Sequence, residues 1–343
     1  KYFAKCGGCA YQHMSYENEL KIKQSLLAKQ LKKVAFNGNI TLYSSPKKYN
    51  YRNKIKLFVD ESNIGLKYRG SNKICSIEAC PLAKENINHA VKIVKNYIRE
   101  NYLNKNILNI IIRQEKDSCL INFIVKEKIE DFHYQKMQSL LNENFGIYQT
   151  IGKTVLHKAG LKSIITDEFG LKCIFLPLSF HQVNNEVCNE LYQNVLDEIE
   201  GKYIINCYSG NGVLSGILAK NGCNVIGIEL GENEHLEAEK LKDINHLNNL
   251  NNIHGDCEKV LFKLKSCDTL IVDPPRTGLS KKVINSINNI KTSKLIYISC
   301  NSATLVRDLQ RLQGYEITKV KLFDMFARTG EYETLVILKK IKN

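Results

Sequence analysis

The sequence has no run of apolar residues that approaches the roughly 18 a helix needs to cross a membrane. It also has no signal-peptide pattern, no internal repeats and no low-complexity tracts. These absences argue against a membrane protein, a secreted protein and a repeat protein. The chain also begins at Lys1 without an initiator Met, so we expect a trimmed sequence from which a preceding module is missing.

The composition is that of a globular protein with a large core. The chain has 343 residues, of which 43% are hydrophobic and 24% charged, and this length predicts two domains. It contains 12 cysteines without a secretory signal, which favours a reducing cytoplasm over a disulfide framework. We therefore expect a cytoplasmic protein, and the sequence gives no indication of an obligate protein partner.

The formal net charge of +14 is concentrated near the start of the chain. Residues 1–100 contain 19 Lys and Arg against 7 Asp and Glu, whereas the remainder contains 30 against 28. A basic region joined to a nearly neutral body predicts a polyanionic partner, most simply nucleic acid. The alternative is a Lys-rich composition that only keeps the protein soluble.

The pattern of apolar residues changes near residue 177. Residues 1–177 predict a β-rich domain with an amphipathic, basic-faced helix at 17–34, a second helix at 90–97 and mainly antiparallel strands. The helix at 17–34 is a candidate to pack on the second domain. Residues 178–343 predict a doubly wound α/β domain whose last two strands are antiparallel. Its predicted strands are 203–208, 224–229, 252–256, 269–273, 294–300, 316–323 and 334–338.

Three reactive side chains stand at the ends of predicted strands in the second domain. Cys300 ends one apolar strand, Asp273 ends the strand before it, and Glu333 opens the last strand. The carboxyl ends of parallel strands are where α/β sheets carry their chemistry. A thiol and carboxylates at these positions predict covalent catalysis, with Cys300 as nucleophile and Glu333 as base. Glu331 is the nearest alternative to Glu333.

The first strand of this domain leads into a glycine loop. Gly210 and Gly212 follow Tyr208, and acidic residues end the next two strands at Glu229 and Asp256. Such a loop brings helix amides close to a ligand, and an acid about 20 residues on can hold ribose hydroxyls. The third glycine of a pyrophosphate loop is missing, which favours S-adenosylmethionine over NAD. A tight turn followed by two helix caps is the structural alternative.

Together these segments resemble the RNA 5-methyluridine methyltransferases that act on tRNA and ribosomal RNA, and the resemblance covers essentially the whole chain. The matching segments are 180–184 (FHQVN), 208–212 (YSGNG), 227–229 (GIE), 273–279 (DPPRTGL), 299–309 (SCNSATLVRDL) and 333–336 (ETLV). The resemblance implies a Rossmann-like class I methyltransferase domain behind an N-terminal β-rich RNA-binding domain. It also implies uridine C5 methylation through a covalent bond between cysteine and carbon 6 of uracil.

The resemblance assigns roles to individual residues. It makes Cys300 the nucleophile and Glu333 the base. S-adenosylmethionine contacts are implied for a set of residues that includes the two loop glycines: Gln182, Tyr208, Gly210, Gly212, Glu229, Asp256 and Asp273. The sequence departs from the family pattern at Asn206 and at Ala327-Arg328, which puts fine substrate positioning in doubt.

Cysteines near the start of the chain suggest a metal site. Cys6 and Cys9 form a C-x-x-C loop, and Cys80 precedes a proline; this pattern resembles iron–sulfur ligation, with zinc as the alternative. In the cluster-bearing branch of the family, a further cysteine falls just before Lys1. We therefore expect a [4Fe-4S] cluster with its fourth ligand upstream, although Cys75 could substitute. That branch mostly modifies ribosomal RNA, so ribosomal RNA is the favoured substrate and tRNA the second.

Basic residues alternate with aromatic residues beyond this loop. Arg52, Lys54, Lys56 and Arg69 are the predicted RNA contacts, since this mixture suits phosphates and unstacked bases; a solvated strand face is the alternative. Two other functions stay open at this point. One is an amino- or O-methyltransferase on the same fold, and the other is an RNA-binding or RNA-folding protein without catalysis.

Overall fold

The computed structural model describes residues 2–341, and its strands form two large sheets and one hairpin. The first large sheet has seven strands. In spatial order these are β4 (Ile74–Ser76), β3 (Ile64–Lys67), β2 (Lys54–Val59), β5 (Ile107–Glu115), β6 (Ser118–Val125), β7 (Phe145–Ile151) and β8 (Thr154–Gly160). The hairpin consists of β9 (Ile164–Glu168) and β10 (Leu171–Phe175).

The seven-stranded sheet is antiparallel except for one pair. β6 and β7 run parallel, which requires a crossover, and α3 (Asp131–Leu140) provides it. α2 (Glu85–Glu100) packs against the sheet through Ile87, Val91, Val94 and Ile98, a spacing that places them on one helical face. The predicted mainly antiparallel region is therefore present, but the sequence reading missed α3 and the parallel pair.

The second large sheet has eight strands. In spatial order these are β1 (Ile40–Tyr43), β16 (Tyr315–Phe323), β17 (Glu333–Lys340), β15 (Lys294–Ser299), β14 (Thr269–Val272), β11 (Tyr203–Cys207), β12 (Asn224–Glu229) and β13 (Leu250–His254). The strands from β13 to β15 are parallel, and β17 lies antiparallel between β15 and β16. The strand order reverses between β11 and β14, where open α/β sheets bind ligands. The Rossmann-like fold prediction is confirmed.

Helices cover both faces of this sheet. They are α1 (Tyr16–Leu31), α4 (Asn185–Asp197), α5 (Val213–Lys220), α6 (Glu232–Ile244), α7 (Cys257–Val260), α8 (Lys281–Asn289) and α9 (Ser302–Leu309). Short 3-10 turns occupy Lys32–Val34, Leu103–Asn106 and Leu261–Lys263. Within residues 2–341, none of the helices combines the length and the apolar character of a membrane span.

The C-terminal half of α1 and the strand β1 pack on the second sheet, whereas residues 2–9 and the start of α1 contact the core of the first sheet. α1 inserts Leu27 and Leu31 into the core that also holds α8 and α9, and β1 pairs in parallel with β16. The sequence analysis placed all of residues 1–177 in the β-rich domain, so the position of β1 was not foreseen. The division at 177 and 178 stays a prediction.

Candidate active site

The three predicted reactive side chains lie at one edge of the eight-stranded sheet. β14 and β15 run parallel with Val272 opposite Tyr297, so Asp273 follows one strand end beside the next. β15 and β17 run antiparallel with Ser299 opposite Thr334. Cys300 directly follows Ser299, and Glu333 directly precedes Thr334. The fold thus brings the thiol and the carboxylate together.

Cys300 is set apart from the other cysteines by its exposure. Eleven of the twelve cysteines are buried, whereas Cys300 is half-buried and lines a cavity of about 460 Å³. Burial raises the pKa of the Cys300 thiol to about 11, with further increases from Glu333 and Asp273, while Arg276 acts in the opposite direction. The thiol is therefore reachable, and nearby charges control its ionisation.

Glu333 is more suitable as a base than Glu331. The Glu333 side chain is buried, and within the described residues its Oε2 atom has no hydrogen-bond partner. Burial, and after it the charge of Asp273, raises the pKa of Glu333 well above its ordinary value. Glu331 is instead only half-buried and forms a 2.6 Å ion pair with Arg276. A desolvated carboxylate is a stronger proton acceptor than one paired with a guanidinium.

The loop that leads to Glu333 is held by a buried charged network that the sequence reading did not foresee. Lys23 of α1 donates to Asp324 at 2.5 Å and to Glu19 at 2.8 Å, and all three side chains are fully buried. Tyr16 donates its hydroxyl to the other oxygen of Asp324 at 2.5 Å. The backbone amide of Arg328 donates to Glu19 at 2.7 Å. Helix α1 thereby fixes the loop that precedes β17.

Arg328, one of the two departures from the family pattern, belongs to this network. Its guanidinium lies over the rings of Tyr16 and Tyr49 at 5.4 and 5.3 Å from their centroids, and it donates to the carbonyl of Met14 at 3.0 Å. Its backbone adopts a left-handed φ of 68°, which costs a non-glycine residue free energy unless its surroundings hold it. Through these contacts Arg328 helps to hold the loop that precedes β17.

The predicted cofactor residues surround the glycine loop after β11. Gln182, Tyr208, Gly210 and Asp273 line a single crevice, and desolvation raises the pKa of Asp273 to about 7. The crevice has a volume of about 40 Å³, far below the roughly 300–1,000 Å³ of typical ligand pockets, so this conformation does not enclose a nucleoside.

The other predicted cofactor residues hold the glycine loop and the neighbouring helices in place. Glu229 accepts hydrogen bonds from the amides of Gly210 and Gly231, each at 2.8 Å, and Asp256 caps α7. Gly212 has a φ of 79°, and a Cβ there would approach a methyl group of α6 at 2.7 Å. The glycine permits both the turn and the close packing of α5 on α6.

The segment that carries Gln182 is anchored to the first sheet. Asn53 donates its side-chain amide to the Gln182 carbonyl at 2.9 Å, and its backbone amide donates to Val183 at 2.9 Å. The buried Arg113 pairs with Glu115 at 3.0 Å and also donates to the carbonyl of Ser179. No sequence motif indicated these contacts, because they depend on the packing of distant segments.

The predicted cluster cysteines share one cavity. Cys6, Cys9 and Cys80 line a space of about 460 Å³. Burial raises the pKa of the Cys6 thiol, and the nearby Cys80 and Cys75 raise it further. The Gly8 amide donates to Cys6 Sγ at 3.5 Å, and Gln12 donates to Cys9 Sγ at 3.1 Å. Yet among residues 2–341 no three Cys, His, Asp or Glu side chains are arranged to hold a metal ion.

The predicted RNA contacts differ in their exposure. Lys56 and Arg69 are exposed, whereas Arg52 and Lys54 are half-buried. Lys54 donates to the Ser179 carbonyl at 3.1 Å, and burial lowers its pKa to about 8. Lys54 therefore holds the segment that leads to Gln182. Its contact with RNA stays a prediction, as do the RNA contacts of Arg52, Lys56 and Arg69.

Comparison with known proteins agrees with this geometry. The model of the family described as tRNA (Uracil-5-)-methyltransferase matches residues 15–341. An RNA methyltransferase of Clostridium tetani is 33% identical over 98% of this chain and 83% of its own length. The tRNA (uracil(54)-C(5))-methyltransferase of Pyrococcus abyssi is 29% identical over 98% of this chain and 85% of its own length.

A solved structure resembles the whole fold. The crystal structure of the Pyrococcus abyssi tRNA (uracil-54, C5)-methyltransferase in complex with S-adenosyl-L-homocysteine superposes with a TM-score of 0.83. Its sequence identity is 26%, and the match covers 96% of this chain and 85% of that one. The chain therefore belongs to the tRNA (uracil-5-)-methyltransferase family and is an enzyme that methylates carbon 5 of uracil in RNA.

Proposed function

We propose that the enzyme methylates its uridine through a covalent bond between Cys300 and carbon 6 of the base, with S-adenosylmethionine as the methyl donor. The observation that supports this most strongly is the pairing of β15 with β17. Cys300, which is only half-buried, thereby lies beside a buried carboxylate, one oxygen of which has no hydrogen-bond partner among residues 2–341.

The chemistry explains why both groups are needed. Carbon 5 of uracil is too weak a nucleophile to take a methyl group unaided. Attack of the Cys300 thiolate on carbon 6 forms an S–C bond and moves an electron pair towards the oxygen on carbon 4, which makes carbon 5 an enolate carbon. When bound, the cofactor would supply an electrophilic methyl carbon to carbon 5 and would leave as S-adenosylhomocysteine. Glu333 then takes the proton from carbon 5, the double bond re-forms, and the thiolate leaves.

The electrostatics of the site suit these two steps. The raised pKa of Glu333 makes it a stronger base towards a carbon acid than an exposed carboxylate. Burial raises the pKa of Cys300, and the guanidinium of Arg276 offsets part of that increase in favour of the thiolate. Both effects act on atoms that have to be within reach of one uracil ring.

The cofactor site is proposed at the glycine loop. Gln182, Tyr208 and Asp273 would contact the cofactor, the amides near Gly210 would approach it, and Glu229 would accept from ribose hydroxyls. The donor set supports this assignment, as does the S-adenosyl-L-homocysteine named with the Pyrococcus abyssi structure.

The cysteine cavity is proposed to hold the [4Fe-4S] cluster. The proposal rests on three thiols that line one cavity and on N–H groups directed at two of the sulfurs. Within residues 2–341 these thiols are not arranged to hold a metal ion, so binding the cluster would require them to move closer together. Since only three of the predicted ligands are in the described chain, the fourth would be the cysteine expected before Lys1, or else Cys75. Anaerobic reconstitution should give about four irons per chain. Cys6→Ser should lower that number, whereas Cys119→Ser, a buried control, should not.

Ribosomal RNA and tRNA are the two candidate substrates. The resemblance to the cluster-bearing branch favours ribosomal RNA, and the substrate named for the Pyrococcus abyssi relative supports tRNA as the second candidate. In either RNA the target uridine has to leave its stack before Cys300 can reach carbon 6.

Nucleoside mass spectrometry tests the reaction and the RNA class together. The enzyme would be incubated with S-adenosylmethionine and either a tRNA transcript or ribosomal RNA fragments, and 5-methyluridine would be quantified. Cys300→Ser should abolish the product, while the buried control Cys223→Ser should retain it. A methylated nucleoside other than 5-methyluridine that survives Cys300→Ser would support an amino- or O-methyltransferase, and RNA binding without methylation would support a binding protein.

A further inference from the structure

The cavity at Cys300 has one wall made by the N-terminal helix. Leu26, Lys29 and Gln30 of α1 line it, opposite Arg276 and residues 330–332. The nucleophile therefore opens towards a helix that lies far from it in sequence. A substrate that reaches Cys300 has to pass beside this helix.

The outer face of α1 is exposed and basic. Lys21, Ser25, Lys29 and Lys32 are exposed and follow each other at spacings of three or four residues, so they form one stripe along the helix. Between Lys21 and Lys32 this stripe contains no acidic residue, and the exposed Glu17 lies one turn before Lys21. Leu26, beside it, has a side chain that is 45% exposed. The lysines of such a stripe can contact the phosphates of one nucleic-acid strand, and an apolar residue at the cavity can contact a base of the same strand.

Other ligands fit this surface less well. A uridine that has been splayed towards Cys300 leaves its neighbours on a single strand, because a continuous duplex cannot present its base. The stripe from Lys21 to Lys29 spans about 12 Å along the helix, which accommodates consecutive phosphates of such a strand.

We propose that the exposed face of α1, through Lys21 and Lys29, binds the backbone of the single-stranded RNA that flanks the target uridine. This inference rests on the proposed function, since the cavity is taken as the uridine site. It adds a specific RNA-binding element outside the residues predicted from the sequence. It also gives α1 two roles, because its buried face holds the loop before Glu333.

The salt dependence of RNA binding tests the proposal without relying on catalysis. Binding of a short oligouridylate and of a tRNA transcript would be measured by fluorescence anisotropy across a range of salt concentrations. Each phosphate contact contributes about 0.7 to the slope of log K against log salt for a single strand. Lys21→Gln and Lys29→Gln should each lower the slope by about 0.7, and the double variant by about 1.4.

The matched control is Lys92→Gln, which changes an exposed lysine on α2, a helix of the same length. It should leave the slope unchanged, and circular dichroism should show that all variants are folded. An unchanged slope in the α1 double variant, or an equal loss in the control, would overturn the proposal. If the slope changes as expected while the wild-type enzyme forms no 5-methyluridine, the RNA surface stands and the proposed reaction fails.

Discussion

Replacing Lys23 by Met should destabilise the protein far more than a surface charge change. The Lys23 ammonium lies 2.5 Å from Asp324, 2.8 Å from Glu19 and 3.2 Å from the carbonyl of Phe326. Both carboxylates are fully buried. Loss of the Lys23 ammonium leaves two buried carboxylates with one remaining cation, Arg328. Removing one partner of a buried ion pair costs about 3–5 kcal/mol.

Urea denaturation followed by circular dichroism measures this cost. With an m-value of about 3 kcal/mol per molar urea, the midpoint should fall by about 1–1.7 M. The matched control Lys47→Met removes an exposed ion pair with Glu186 and should cost at most about 1 kcal/mol.

A second variant separates charge balance from packing. Lys23→Met combined with Asp324→Asn leaves one buried carboxylate, Glu19, with one cation, Arg328. The numbers of buried negative and positive charges are then equal, so the double variant should recover a large part of the lost stability. The reasoning would be refuted by a Lys23→Met variant no less stable than Lys47→Met. It would also be refuted by a double variant that is no more stable than Lys23→Met alone.

Three further outcomes follow from the site geometry. Iodoacetamide should alkylate Cys300 alone in the native, cofactor-free enzyme. The rate of alkylation should rise about tenfold per pH unit up to the thiol pKa near 11. A second modified cysteine in the intact mass would contradict this prediction. Glu333→Gln should accelerate that alkylation at fixed pH and Arg276→Gln should slow it, because the carboxylate raises the thiol pKa and the guanidinium lowers it. Gly222→Ala should cost only the left-handed backbone term of about 1–2 kcal/mol, whereas Gly212→Ala, with a clash at 2.7 Å, should lower the thermal midpoint further; equal midpoints would argue against this packing.

The strand ends of the catalytic domain were predictable from the sequence. A buried parallel strand is a continuous apolar run, and Asp273 and Cys300 are the first reactive residues after two such runs. Because parallel strands end at one edge of a sheet, their proximity followed from the pattern alone. The position of Glu333 followed from the same argument applied to an antiparallel neighbour.

Features that depend on tertiary packing were not predictable. The helix at 17–34 was read as having a basic face, but Lys23 on that helix is fully buried against Asp324, some 300 positions along the chain. The short strand β1 has only four residues, too few to show which sheet it joins. Lys54 was predicted to contact RNA, yet its side chain donates to the carbonyl of Ser179.

The most direct test of the covalent mechanism uses RNA that contains 5-fluorouridine, because fluorine on carbon 5 cannot be removed as a proton. The enzyme, S-adenosylmethionine and this RNA should give a protein–RNA adduct that survives denaturation and carries the transferred methyl group. Cys300→Ala should form none, and the control Cys223→Ala should form as much as the wild type. Absence of an adduct with both tRNA and ribosomal RNA, or an adduct that persists in Cys300→Ala, would contradict attack by Cys300 on carbon 6.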